Sequence, residues 1–147
     1  MLEEILNKTQ NINLDELFVD VFQESRVQEF VEDLNKDQLF AGVDSNNVDL
    51  EDIGGDYTNK TKAIKRFKGQ PVDRVTLRDT GDFYDSIELE LEAAAVDFVA
   101  DFDKEGVDLR DRWGQNLLGL TEQSKEKLKE FVLPIFQQKI RQRIGLL

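Results

Sequence analysis

Helical periodicity dominates the first third of the chain. A capping-box pattern at Asn13 and Glu16 precedes apolar residues at helical spacing, and a second start near Ser25 precedes another stripe that is out of phase with the first. The pattern predicts two helices, or one helix broken near Ser25, that end around Asn35. A weaker stripe over residues 1–9 favours a short leading helix.

The middle of the chain combines short extended patterns with one basic helix. Residues 38–43 and 48–51 predict two short strands joined by residues 44–47, whose Asp, Ser and Asn side chains are typical of turns. Thr58 can cap the start of a basic helix. The helix is predicted to end at about Phe67, because Gly69 and Pro71 follow that residue.

A further antiparallel hairpin is predicted near residue 90. Isoleucine and leucine alternate strictly with glutamate over residues 87–92, which predicts a half-buried strand. Residues 93–95 are interpreted as a bend and residues 96–102 as the partner strand. Residues 72–77 are predicted to be extended ahead of this hairpin.

The last part of the chain predicts the longest helix. Residues 103–113 can form a short amphipathic helix, and an apolar connector at 116–120 follows it. Thr121 can then cap a helix that runs to about Ile144. Pro134 lies inside this helix and should kink it, because proline removes a backbone donor and crowds the preceding turn.

Together these elements predict an α+β fold. We expect a small antiparallel sheet of about four strands covered by helices, a long kinked C-terminal helix and a helical N-terminal extension. The expected division is a helical segment at residues 1–35 and an α+β unit at residues 36–147. Both belong to a single compact domain, because 147 residues is the size of one ordinary domain.

The composition excludes several kinds of chemistry. The chain has no cysteine and no histidine, which excludes cysteine nucleophiles, disulfides, thiolate or imidazole zinc sites and histidine catalysis. Asp79, Asp82 and Asp85 suggest a carboxylate site, but they lie beside a predicted turn, where aspartate commonly makes local hydrogen bonds. We therefore predict no enzymatic activity, no catalytic residue, no metal site and no cofactor. No apolar run approaches the ~20 residues of a membrane span, so no membrane contact is expected.

The net charge of −12 is divided into blocks along the chain. Residues 1–59 carry 3 basic and 15 acidic side chains, residues 60–78 carry 7 and 1, and residues 79–112 carry 3 and 12. Solvated faces are the simpler interpretation of such blocks. The alternative is head-to-tail self-association, in which a basic block meets an acidic block of the next copy. The candidate interface is the basic helix face formed by Lys60, Lys62, Lys65, Arg66 and Lys68.

Several motifs resemble those of one known family. The segment from Leu77 to Ile87, LRDTGDFYDSI, resembles the signature L-x-x-T-G-x-L/F-x-x-S-I/F of the tail-completion and minor virion-morphogenesis proteins of tailed bacteriophages. Flanking segments resemble further motifs of that family in the same order: residues 38–44, residues 55–58 with Thr61 and Lys62, and residues 113–121. The resemblance covers residues 35–145.

This resemblance implies a structural protein of the virion neck. Such a head–tail connector forms a homo-oligomeric ring between portal and tail, has no catalytic residues, and is present in the host cytoplasm during assembly. The implied partners are portal or adaptor proteins and tail proteins, with at most passive contact with DNA, because a carboxylate-lined channel repels DNA. Two other classes stay open: an acidic interaction or adaptor domain, such as a DNA-mimicking inhibitor, and a carboxylate-based hydrolase.

Overall fold

The fold is α+β, as the sequence predicts. The computed structural model describes residues 1–92 and 95–146. This part of the chain holds eight helices and four short strands, in the order α1 Leu2–Gln10, α2 Leu14–Phe22, α3 Ser25–Phe40, α4 Leu50–Gly54, α5 Asn59–Phe67, α6 Asp82–Asp85, β1 Glu88–Glu92, β2 Ala95–Val99, β3 Asp103–Lys104, β4 Val107–Asp108, α7 Leu109–Trp113 and α8 Glu122–Arg143.

Three predicted helix starts are confirmed by their caps. The side-chain oxygens of Asn13, Thr58 and Thr121 accept hydrogen bonds from backbone N–H groups in the first turns of α2, α5 and α8. These bonds satisfy donors that have no partner inside the helix, so each helix begins where its cap lies. Ser25 is itself the first residue of α3, and its predecessor Glu24 makes no side-chain cap. Pro134 lies inside α8, and its kink stays a prediction.

The predicted hairpin over residues 38–51 is wrong. Helix α3 continues past Asn35 to Phe40, and α4 begins at Leu50, inside the predicted second strand. The only pairing described there is an isolated bridge between Val43 and Asp49. The turn between them is confirmed, because the carboxylate of Asp44 accepts hydrogen bonds from the backbone N–H groups two and four residues further on.

Two buried amides on α3 explain why this helix is longer than predicted. Asn35 donates to the carbonyl of Leu117 at 3.0 Å and accepts from the N–H of Gly119 at 2.9 Å. Gln38 donates to the carbonyl of Gly119 and accepts from the N–H of Thr121, both at 2.9 Å. The two side chains thus bind the connector much as a neighbouring strand would, and they require the helical spacing between positions 35 and 38.

The strands form two separate antiparallel hairpins instead of one sheet of four strands. In the first hairpin, Leu89 of β1 lies opposite Phe98 of β2. The predicted bend lies mostly outside the described residues, and Ala95 already belongs to β2. The second hairpin, β3–β4, replaces the first half of the helix predicted over 103–113. Its turn residues Glu105 and Gly106 have positive φ angles of 53° and 82°, which suits a tight hairpin turn and not a helix.

The apolar side chains form two clusters. The first joins α3, α4, α7 and the segment around α6, and consists of Leu39, Leu50, Val75, Tyr84, Ile87, Trp113 and Leu117. The second joins α2, α3 and α8 to the inner face of β1–β2, and its buried members are Val21, Phe22, Val27, Val31, Val132 and Ile135. Helix α3 contributes to both clusters and runs through residue 35. The division of the chain at that residue stays a prediction.

Candidate assembly surfaces

Helix α5 carries the predicted basic interface and is fixed at both ends. Thr58 caps its start, and Gly69 ends it with a φ of 73° that favours glycine. The hydroxyl of Tyr57, just before the helix, accepts hydrogen bonds from the backbone N–H groups of Thr76 and Leu77 at 3.1 and 3.2 Å. The helix is therefore held against the irregular segment 72–77, which was predicted to be extended.

Three of the five predicted interface residues make hydrogen bonds or ion pairs with other residues of the same subunit. Lys65 is only 5% exposed; its Nζ donates to the carbonyl of Arg78 at 3.0 Å and lies 4.7 Å from the ring centroid of Tyr57. Lys62 pairs with Asp56, and Lys68 pairs with Asp79. These three lysines serve the fold of the subunit.

The other two predicted residues face solvent. Lys60 and Arg66 are exposed and form no ion pair with any residue in 1–92 or 95–146. Both side chains can therefore pair with charges outside the subunit. The candidate interface is reduced from five residues to these two, on the outer side of α5.

The ion pairs of α5 also change the titration of their carboxylates. A hydrogen bond from Lys68 holds the pKa of Asp79 below its usual value, with a further contribution from the charge of Lys104. A hydrogen bond from Lys62 likewise lowers the pKa of Asp56. Both carboxylates are therefore charged at neutral pH. The pair with Asp79 ties the end of α5 to a later segment of the chain, whereas the pair with Asp56 is local to the start of the helix.

The outer side of α5 is apolar at its centre. Ile64 is 47% exposed and Phe67 is 92% exposed, and the two lie on the same face because they are three residues apart in a helix. We call this pair, with the neighbouring Lys60 and Arg66, the α5 knob. Sequence reasoning missed it, because a helix is expected to bury its apolar stripe and expose its lysines. Here Lys65 is buried and Phe67 is exposed.

The outer face of the β1–β2 hairpin is acidic. Because side chains alternate along a strand, Glu88, Glu90, Glu92 and Asp97 are all exposed while Leu89 and its partner Phe98 face the second cluster. Glu90 lies directly opposite Asp97 in the register. Like charges in directly opposite positions destabilise a hairpin unless a cation lies close by. These four carboxylates are called the acidic hairpin face.

An open groove lies beside the acidic hairpin face. It has a volume of about 980 Å³, and its apolar wall is formed by half-buried side chains of α2, β2, the connector and α8: Phe18, Phe98, Leu118, Leu120 and Leu128. Asp97 and Glu122 lie at its rim together with Lys125. No sequence pattern indicated this groove, because its wall comes from four separate parts of the chain.

The polar residues of the phage-like signature are engaged in the fold. The hydroxyl of Tyr84 donates to the carbonyl of Thr76, and burial raises the pKa of Tyr84 well above its usual value. The hydroxyl of Ser86 donates to the carbonyl of Phe83 at 2.6 Å and accepts from the N–H of Asp101 at 3.0 Å. These side chains hold α6 and the start of β1 in place.

Asp79, the first residue of the suggested carboxylate site, is committed to Lys68 and lies 3.8 Å from Lys104. Within residues 1–92 and 95–146, no three acidic side chains come together in a way that could hold a metal ion.

No helix in the same part of the chain is long and apolar enough to span a membrane.

The chain matches no known family model, and it has no significant similarity to a curated protein or to a solved structure.

Proposed function

We propose that this protein is a structural subunit of the neck of a tailed bacteriophage, which forms a ring between portal and tail and joins the two. The observation that carries the proposal is the pair of unlike surfaces on one chain, the α5 knob and the acidic hairpin face. A ring built from one repeated contact must join two different surfaces of the subunit, and here the two carry opposite charge.

The placement of the phage-like motifs supports the same function. Each of the four motif segments supplies side chains that pack in or against the first apolar cluster. In chain order these side chains are Leu39, then Tyr57, then Tyr84 with Ile87, and last Trp113 with Leu117. The motifs therefore specify a fold and not a reaction, which fits a family of structural proteins.

The exposed charges would mainly affect the rate and orientation of assembly and would add little to the stability of the assembled ring. An exposed ion pair contributes about 0–1 kcal/mol, because water screens it and both side chains lose freedom. Charge complementarity raises the rate of encounter and selects the orientation, while apolar burial holds the partners together. Carboxylates facing a ring channel would also repel DNA and leave it free to slide.

The test is native mass spectrometry of the purified protein, alone and with portal and tail proteins, over a salt series. We expect ring-sized oligomers or a complex with portal. The double variant Lys60→Glu/Arg66→Glu should assemble about tenfold more slowly at low salt, since about 1–2 kcal/mol of favourable charge interaction is lost. Reversal of Lys62, Lys65 and Lys68 would instead disturb the fold of the subunit itself.

The control is Lys127→Glu/Lys129→Glu, which makes the same charge change at exposed positions of α8. Equal assembly rates for the two double variants would contradict the role of α5. A protein that stays monomeric, with and without portal and tail proteins, would contradict the proposal as a whole.

The acidic hairpin face favours a second candidate function, a DNA-mimicking inhibitor. Its four exposed carboxylates lie on one surface, as phosphates do along a duplex. Such an inhibitor would act as a monomer and bind the DNA cleft of a nuclease, and Glu90→Lys would weaken that binding without unfolding the protein. Ring formation by the purified chain would favour the neck protein.

A further inference from the structure

We propose that the α5 knob of one copy inserts into the groove of the next copy, with Phe67 as the central anchor. This inference rests on the proposed ring function and names its repeated contact. The knob and the groove share no residue. One copy can therefore use both at once, and the contact can repeat around a ring.

The orientation of α5 is the first argument. A short helix on a protein surface normally turns its apolar residues inward, whereas α5 turns Ile64 and Phe67 outward and keeps Lys65 at 5% exposure. This arrangement is stabilised by the hydrogen bond from Lys65 to the carbonyl of Arg78. An aromatic ring that is 92% exposed is costly in water and is the kind of side chain that anchors interfaces.

The size and wall of the groove are the second argument. Its volume of about 980 Å³ accommodates the Phe67 ring together with Ile64, and no segment in residues 1–92 or 95–146 fills it. Phe18 stacks on Phe22 with ring centroids 4.4 Å apart, so the aromatic part of the wall is already packed. A preformed apolar wall needs little reorganisation to receive an aromatic side chain.

Charge complementarity selects a second copy of this chain as the occupant. Basic side chains surround the tip of the knob. At the rim of the groove, Glu122 pairs with Lys125 at 3.2 Å, so the negative charge offered to a partner is that of Asp97. The acidic hairpin face continues from Asp97, so a docked knob would bring cations beside the opposed pair Glu90 and Asp97. That contact would relieve the repulsion between those two carboxylates.

A complementation experiment tests the contact. Phe67→Ser removes the anchor, and Leu128→Arg blocks the groove while leaving the knob intact. Loss of one buried aromatic side chain should weaken self-association about 10- to 100-fold. Neither variant should form rings alone. An equal mixture should form a one-to-one dimer, because one intact knob and one intact groove remain. Leu133→Ser, at a leucine of α8 that is 51% exposed and lies outside the groove, is the control and should form rings as the parent does.

Photo-crosslinking gives an answer that does not depend on the folding of the Leu128 variant. The photoreactive p-benzoylphenylalanine replaces Phe67 in a mixture of isotopically light and heavy copies, and mass spectrometry locates the crosslinks between copies. We expect crosslinks to the peptides around Phe98, Leu118 or Leu128. Rings that form while crosslinks map elsewhere would overturn this contact and leave the ring function standing. Absence of any oligomer, both with and without portal and tail proteins, would refute the ring function itself.

Discussion

The substitution Asn35→Asp tests the buried amide network that joins α3 to the connector before α8. Asparagine both donates to the carbonyl of Leu117 and accepts from the N–H of Gly119. Aspartate has almost the same shape, but its carboxylate can only accept. The variant therefore keeps the bond from Gly119 and turns a hydrogen bond of 3.0 Å to Leu117 into a repulsive contact between two oxygens.

The expected loss is large because the site is fully buried. The side chain of residue 35 is 0% exposed. An unsatisfied buried carbonyl costs about 1–3 kcal/mol, and an unpaired buried charge costs several kcal/mol more. We expect the free energy of unfolding at neutral pH to fall by about 4 kcal/mol or more, a large part of the 5–15 kcal/mol typical of a domain.

Urea denaturation at neutral pH and at about pH 4.5 measures this loss, with Asn46→Asp at an exposed turn position as control. Burial without a cation raises the pKa of the new carboxyl above its unfolded value, so the folded state binds a proton more readily than the unfolded state. The deficit relative to the parent should therefore shrink as the pH falls, because a protonated carboxyl can donate to Leu117. Equal stabilities of the two variants at neutral pH would refute the network.

Three further changes test other parts of the structure by thermal or urea unfolding. Leu89→Asp should lower stability by about 2–4 kcal/mol, because it places an unpaired charge against the second cluster; an unchanged melting temperature would refute the orientation of β1. Gly54→Ala should cost about 1–3 kcal/mol, because its Cβ would lie 2.5 Å from the Trp113 ring; a stabilised variant would show that the ring moves freely. The pKa of Asp79 is lowered by Lys68, so its contribution is present above the unfolded value of about 3.9 and is lost as the pH falls through the folded pKa; Asp79→Asn should remove this part of the acid sensitivity, and an unchanged pH profile would contradict the ion pair.

Local signals in the sequence predicted the helix starts well and the middle of the chain poorly. Asn13, Thr58 and Thr121 cap helices through bonds to residues only two or three positions away, so the pattern contains the whole interaction. Residues 38–40 were predicted as a strand because a short apolar run suits either structure. The helix is favoured there by the bonds of Gln38 to Gly119 and Thr121, which lie more than 80 positions away.

The candidate interface was predicted in outline only. The cluster of basic residues identified α5 as a charged helix, but charge alone could not show that Lys65 is buried or that Lys62 and Lys68 pair within the subunit. The exposure of Phe67 depends on which side of α5 packs against Tyr57 and the segment 72–77. The same limit applies to the groove, whose wall is assembled by tertiary packing. Residues 103–113 were predicted as one helix because their pattern is amphipathic, and Glu105 is not a residue that typically marks a hairpin turn, although the structure places it and Gly106 at positive φ angles.

The amide network also sets an order of events during synthesis. Its four hydrogen bonds join residues 81 to 84 positions apart, and α8 is made later still. At ~5–20 residues per second, the ribosome needs roughly 4–17 s to add the 84 residues between the most distant pair. During that interval the apolar faces of α2 and α3 have no partner from α8. A nascent chain that stops before the connector cannot complete either cluster, so the fold can close only after the last part of the chain has been made.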